Sequence, residues 1–292
     1  MAASTILLLA YCLAIALFSL GGGLLPNWVK MTHTHTQFAM SLVSGLMLGV
    51  AFYHLLPHSV ALIGGPAGVD AAVWWLMIGL IVMLLLLRMF HFHQHDFSNA
   101  KHGHENRDHH HEQTAHRFSW LGIALGLGLH TIIDGLALGA VIKGETATTE
   151  ATGLLGLGVF LAILFHKPLD AMSITTLMEV GGWSRTSRAI ANIVFALMCP
   201  LGALLFFYGV GSLEGDSHFI IGAALAFSAG AFICIALSDL LPEVQFHSHD
   251  RAKLTLAFLA GITMAYAIGH LEPTGTHLAD LSLNGVQLWS GV

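Results

Sequence analysis

The chain has 292 residues, of which 55% are apolar and only 10% charged, and its mean hydropathy is +0.73. A water-soluble globular protein carries roughly 25% charged residues, so composition excludes that class and places the chain in a bilayer. The net charge of −6, with scattered basic residues, argues against nucleic acid as a partner.

Eight apolar segments approach the ~20 residues that cross a bilayer core. They fall at about 4–24, 37–57, 72–90, 118–142, 152–179, 187–211, 218–242 and 252–270. The prediction is an all-α integral membrane protein with eight transmembrane helices. The first segment, MAASTILLLAYCLAIALFSL, lacks a basic start and is long for a cleaved signal, so it is expected to stay as a helix. Spans one to three occupy residues 1–90, spans four and five residues 118–179, and spans six to eight residues 187–270. A short extracytoplasmic tail, 271–292, follows.

Between spans three and four lies the one long polar segment, 91–117. It contains nine of the chain's twenty histidines: His91, His93, His95, His102, His104, His109, His110, His111 and His116. It lacks apolar periodicity and is expected to be a disordered cytosolic loop. One reading is a solvated linker of biased composition. The preferred reading is a weak multi-site metal-binding loop, because neutral imidazole is a good ligand for Zn²⁺, Cu²⁺ and Ni²⁺. Cys12, Cys199 and Cys234 all lie in apolar runs and form neither a disulfide framework nor a CxxC pair.

Orientation follows from the basic residues. With an outside amino terminus, nine of the eleven Lys and Arg fall in inside loops, and only Lys143 falls outside. The remaining one, Lys167, sits within a span. Both termini are therefore expected on the extracytoplasmic side, with the plasma or inner membrane as the location. A short repeat points the same way: GLMLGVAFYHLLPH (45–58) and GAFICIALSDLLPE (230–243) share glycine and LLP at an offset of 185. They lie in spans two and seven, which run in opposite directions. An inverted repeat with a midplane site is a recurrent transporter device.

The chemistry is concentrated in HTIIDG (130–135) and HKPLDA (166–171). Residues four apart share a helix face, so His130 pairs with Asp134 and His166 with Asp170, near mid-span in adjacent segments. An ionised carboxylate at that depth costs several kcal/mol unless paired or hydrated. Two imidazoles and two carboxylates solve this by binding a divalent ion, at the ~2.0–2.2 Å distances of a tetrahedral zinc site. Fe²⁺, Mn²⁺, Co²⁺ and Cd²⁺ suit the same donors. Pro168 should kink span five and free the carbonyl of Leu164; it serves either the site or only packing.

These motifs resemble the ZIP (Zrt-, Irt-like protein) family of divalent metal transporters. HTIIDG is similar to the family's HNxxDG motif in span four, and HKPLDA to HExPHE in span five. AFYHLLPH (51–58) and AFSAGAFICIALSDLLPE (226–243) are similar to its second and seventh spans. The resemblance implies eight spans in an inverted 3+2+3 repeat arrangement, outward termini and a variable His-rich loop. It also implies His130, Asp134, His166 and Asp170 as metal ligands. Thr131 stands where the family often has Asn, Lys167 where it has an acid, and Ala171 where it has Glu. Positions matching Thr131 and Lys167 help form a second metal site in the family, so one metal is expected here. Lys167 then supplies a fixed charge in place of the second ion, or else snorkels or pairs with Asp239.

Other polar residues in the spans outline a path: His54 and His58 towards the outside, Asp239 and Glu243 towards the cytosol. For His58 and Glu243, interfacial capping is the competing reading. Asn192 either lines the site or only packs. The expected function is uptake of a divalent transition metal, most readily Zn²⁺, into the cytosol. No enzymatic activity and no prosthetic group are expected. The partners are the metal ion and the bilayer, with a homodimer as one form of assembly. Two alternatives share some features. A cation-diffusion-facilitator-like exporter uses HxxxD pairs, but in six spans with a soluble carboxy-terminal domain. An intramembrane zinc-dependent hydrolase needs an open coordination position, and the chain has no HExxH.

Overall fold

The computed structural model describes residues 2–28, 33–91, 109–148, 154–212, 215–240 and 251–270. Eight helices long and apolar enough to cross a membrane run through them, with no strand among the described residues. Helices are what a bilayer demands, since each backbone N–H and C=O must find its partner within the segment. In chain order they are α1 (Ala2–Trp28), α2 (His33–Val50), α3 (Val69–His91), α4 (His109–Thr148), α5 (Leu157–Val180), α6 (Arg185–Gly209), α7 (Ser217–Ile235) and α8 (Arg251–Gly269). α2 continues through a π-helical turn, Ala51–Leu55, into Leu56–Ile63, and α7 continues into a π-helical turn, Ala236–Leu240.

The helix ends follow local chemistry. Gly64 and Gly65, with φ of 138° and 62°, reverse the chain into α3. Gly156 precedes α5 with φ 62°, a conformation that other L-residues resist. Ser184 caps α6 by accepting the N–H of Ser187, and Asp216 caps α7 by accepting that of His218. α4 begins at His109, inside the segment 91–117, and its 40 residues span about 60 Å at 1.5 Å per residue. Its membrane-crossing part is Leu125–Thr146.

The packing repeats itself. α2 lies against α8 much as α7 lies against α3, and α5 lies against α1 much as α4 lies against α6. Exchanging spans one to three with six to eight, and four with five, maps each pair onto its counterpart. The π-helical turns obey the same exchange: Ala51–Leu55 and Ala236–Leu240 stand 185 residues apart, the offset of the sequence repeat. Glycines set the closest approaches. A Cβ on Gly45 would strike the carbonyl of Phe258 on α8, and one on Gly230 would strike that of Leu76 on α3. Small residues at crossings are how membrane helices pack without a hydrophobic driving force.

α7 is central, with Ala226, Ala229, Gly230 and Phe232 buried. Ser44 of α2 donates to the carbonyl of Ala236 at 2.8 Å, where the π-helical turn of α7 opens. Large apolar side chains such as Leu13, Trp74, Leu205 and Leu256 are exposed around the outside, where the lipid lies. Replacing Gly230 by Val would overlap the α3 backbone. It is expected to cost about 1–3 kcal/mol, seen as a lower thermal midpoint of the detergent-solubilised protein. An unchanged midpoint would contradict the close approach of α3 and α7.

Candidate metal site

His130 and Asp134 project from one face of α4, and His166 and Asp170 from one face of α5, as the four-residue spacing requires. The two faces meet near the middle of both spans. One ligand atom from each of the four residues lies within 4.8 Å of the other three. His130 Nε2 is 3.4 Å from Asp134 Oδ2 and 3.4 Å from Asp170 Oδ2. His166 Nε2 is 3.2 Å from Asp134 Oδ2 and 3.8 Å from Asp170 Oδ2. Donors held ~2.0–2.2 Å from a tetrahedral ion are about 3.3–3.6 Å apart. Four of the six donor–donor distances thus already stand near the edge lengths of such a polyhedron.

Among the four donors, His166 is oriented from behind, whereas His130 Nδ1 and Asp134 Oδ1 are buried with no hydrogen-bond partner. The Nδ1–H of His166 donates to the carbonyl of Ala162 at 2.7 Å, which leaves Nε2 with its lone pair towards the cluster. Gly22 of α1 abuts the backbone of Pro168, so the turn of α5 between His166 and Asp170 is braced by a helix with no side chain in the way.

Lys167 is fully enclosed and reaches into the same group. Its Nζ forms a tight ion pair with Asp134 Oδ2 and lies 3.1 Å from Asp170 Oδ2. It also donates to Thr131 Oγ1 at 3.1 Å, and Thr131 in turn donates to the carbonyl of Leu127 at 2.7 Å. The ring of Phe195 stands 5.7 Å from the ammonium. One positive charge faces two carboxylates, so the cluster as a whole attracts a further cation.

The Asp170 side chain is 15% exposed, whereas that of Asp134 is 0% exposed. Asp170 lies towards the α5 carboxy terminus. On that side, a cavity of about 470 Å³ opens between α1, α5 and α6, lined in part by Thr175, Arg188 and Asn192. Towards the other face, Leu55, Leu138, Ile142 and Val159 are completely buried.

The remaining candidates separate into groups. Asn192 is not in the cluster; it donates to the carbonyl of Leu20 at 3.0 Å and lines the cavity. His54 Nε2–H donates to the carbonyl of Ala265 at 2.8 Å, and His58 Nδ1–H to the carbonyl of His54 at 2.7 Å. Glu243 and the loop histidines His93, His95, His102 and His104 lie outside the described residues, as do the side chains of Asp239, His91, His109, His110, His111 and His116. Sequence reasoning missed Glu145. It is buried near the end of α4, 3.5 Å from His58 Nε2, with its other oxygen accepting the N–H of Gly156 at 2.9 Å. Glu145 stands eleven residues after Asp134, three helical turns on the same face, but it falls in KGETATTE, which reads as a polar connection.

A family model described as ZIP Zinc transporter matches residues 87–269. The chain belongs to this family. Among curated proteins it is similar to the zinc transporter ZIP9 of Micropogonias undulatus, 32% identical over 61% of this chain and 53% of that one. It is also similar to the zinc transporter ZIP9-B of Xenopus laevis, 32% identical over 60% and 54%. The protein zntC of Dictyostelium discoideum is 33% identical over 48% of this chain and 34% of its own. The chain spans about half the length of the first two of these relatives.

Removing one member of a buried ion pair costs about 3–5 kcal/mol, because the other charge is left uncompensated. Lys167→Met is therefore expected to lower the thermal midpoint in chelator. Adding Asp170→Asn should recover a good part of that loss. No recovery in the double variant would show that Lys167 does not serve as counter-ion to these carboxylates.

Proposed function

We propose that this protein carries a divalent transition metal, most readily Zn²⁺, into the cytosol through the His130, Asp134, His166 and Asp170 cluster on α4 and α5. The observation that carries the proposal is the convergence of four hard and borderline donors within 4.8 Å, at mid-span in a chain of the ZIP family. The relatives named zinc transporters support zinc as the cargo. Fe²⁺, Mn²⁺, Co²⁺ and Cd²⁺ remain chemically compatible with the same donors.

The site takes one metal. Lys167 and Thr131 fill the flank where a second ion would need an acid and an amide, and an ammonium is no ligand. The same ammonium tunes release. An ion held by all four donors lies close to Nζ, so Lys167 must swing aside as metal binds and drives it off as it returns. Such competition keeps a transport site from becoming a trap.

With both termini outside, the cavity lined by Thr175, Arg188 and Asn192 faces the cytosol, and the apolar layer of Leu55, Leu138, Ile142 and Val159 closes the outer side. This is an inward-open arrangement. Rocking one helix group against the other across the repeat opens the opposite side. The path begins at His54 and His58 and ends at Asp239 and Glu243, and the His-rich segment 91–117 buffers metal at the cytosolic face. The protein is a multi-pass component of the plasma or inner membrane, alone or as a homodimer.

Asp134→Ala and Asp170→Ala are expected to reduce Zn²⁺ uptake into proteoliposomes to background while the protein still inserts. Retained uptake in either variant would remove the site from the transport path. Lys167→Asp restores an acid on the flank, so metal counting in detergent should rise by up to one ion per chain, and an unchanged count would contradict the one-metal reading.

A further inference from the structure

We propose that the cavity beside the first turns of α6 binds a phosphate group, carried either by the free inorganic anion or by the headgroup of an anionic phospholipid. The inference rests on the transport reading only for the side of the membrane that the cavity faces. Its volume is about 470 Å³, and its walls include Gly23 of α1, Thr175 of α5, and Arg185, Arg188 and Asn192 of α6. Two guanidiniums make this space a poor resting place for a divalent cation and a good one for an oxyanion.

The positive end is built from α6. Arg185 and Arg188 are three residues apart at the start of the helix, so both project from one face. Glu179 accepts from Nη1 of Arg188, which offsets one of the two charges and steadies the guanidinium. The Arg188 side chain is only 14% exposed, and its Nε is buried with no hydrogen-bond partner. A buried donor left in this state costs about 1–3 kcal/mol. An oxyanion at the open edge of the guanidinium removes that cost, since the planar fork matches phosphate geometry. The amino-terminal end of the α6 dipole adds potential of the same sign.

One turn deeper along α6 the lining turns from donors to acceptors. Asn192 is 4% exposed; its Nδ2 donates to the Leu20 carbonyl at 3.0 Å, and its buried Oδ1 has no hydrogen-bond partner. The amide lies against Gly23, where a Cβ would overlap it. Thr175 gives its hydroxyl hydrogen to α5, 3.1 Å from the Ala171 carbonyl, so towards the cavity it can only accept. A ligand that satisfies both levels brings anionic oxygens for the arginines and a hydrogen for Asn192. Chloride and sulfate bring no hydrogen. Hydrogen phosphate brings one on its P–OH, and phosphatidylglycerol brings them on its glycerol hydroxyls. An anion seated here also cancels the field of the guanidiniums, so a cation leaving by this side meets less repulsion.

The test uses the full chain in phosphatidylcholine nanodiscs, in chelator and without metal, with labelled inorganic phosphate as the probe. Saturable binding is expected, at least about tenfold weaker in Arg185→Gln/Arg188→Gln. It should be unchanged in Arg251→Gln, at an exposed position outside the cavity. Arg185→Gln alone, also at an exposed position, should weaken binding in the same direction, which covers misfolding of the double variant. Sulfate should compete at least about tenfold less well than phosphate, and Asn192→Leu should erase that preference. A second arm adds phosphatidylglycerol to the nanodiscs. Loss of phosphate binding there identifies the lipid headgroup as the occupant, and undiminished binding identifies the free anion. Native mass spectrometry counts the phosphatidylglycerol that each variant retains. If neither bound phosphate nor retained phosphatidylglycerol depends on the two arginines, or if sulfate competes as well as phosphate, the proposal is overturned. No metal is present in any arm, so the outcome is independent of whether the four-donor cluster transports.

Discussion

Everything in this protein is arranged around two carboxylates that should not be where they are. Asp134 and Asp170 sit at mid-span, Asp134 with no exposed surface, and an uncompensated charge there costs several kcal/mol. The chain answers with one fixed cation, Lys167, and two imidazoles. It stops one charge short of neutrality, and the proposed function rests on that shortfall. A fully neutral buried network would be inert, whereas residual negative charge beside four converging donors is what the proposed metal site requires.

The fold supplies the precision that this chemistry needs. α4 is held chiefly by α6 and α5 chiefly by α1, so the two helices that carry the His and Asp cluster meet at that cluster while each is anchored elsewhere. Gly135 and Gly139 on α4 press against Cys199 and Ala203 of α6, and Gly22 of α1 presses against Pro168. The pairing is reproduced by exchanging the two sets of three spans. This gives the molecule two similar bodies around a central pair, a geometry that can rock without dismantling the site between them. The two π-helical turns stand at matched positions of the repeat, and one of them carries His54, whose proton is spent on a neighbouring carbonyl. A widened turn frees backbone acceptors, and in lipid these must be met by neighbours, as Ser44 meets Ala236.

Much of this was legible in the sequence, for identifiable reasons. Apolar runs have no other stable form in lipid, so the eight spans could be read from length and composition. Four-residue spacing puts donors on one face whatever the tertiary context, so His130 with Asp134 and His166 with Asp170 could be paired in advance. The match at offset 185 was short, yet it marks the segments that carry the matched π-helical turns. Other features were hidden. Pattern alone does not reveal that Lys167 turns inward to Asp134 and Asp170, since its long side chain reaches equally well to an interface. Glu145 sits in KGETATTE, which reads as a polar connection, and only the docking of His58 and Gly156 buries it. Asn192 lay beyond pattern as well, because its role depends on how near α1 comes to α6.

The central claim is that one divalent ion sits between Asp134, Asp170, His130 and His166. Anomalous diffraction at the zinc absorption edge, from crystals of the full chain grown with Zn²⁺, tests it most directly. The account predicts a single strong peak about 2.0–2.2 Å from one donor atom of each of these four residues, with the Lys167 ammonium displaced from its present place. A Zn²⁺-saturated crystal with no peak there, and Lys167 still bridging the two carboxylates, would contradict it.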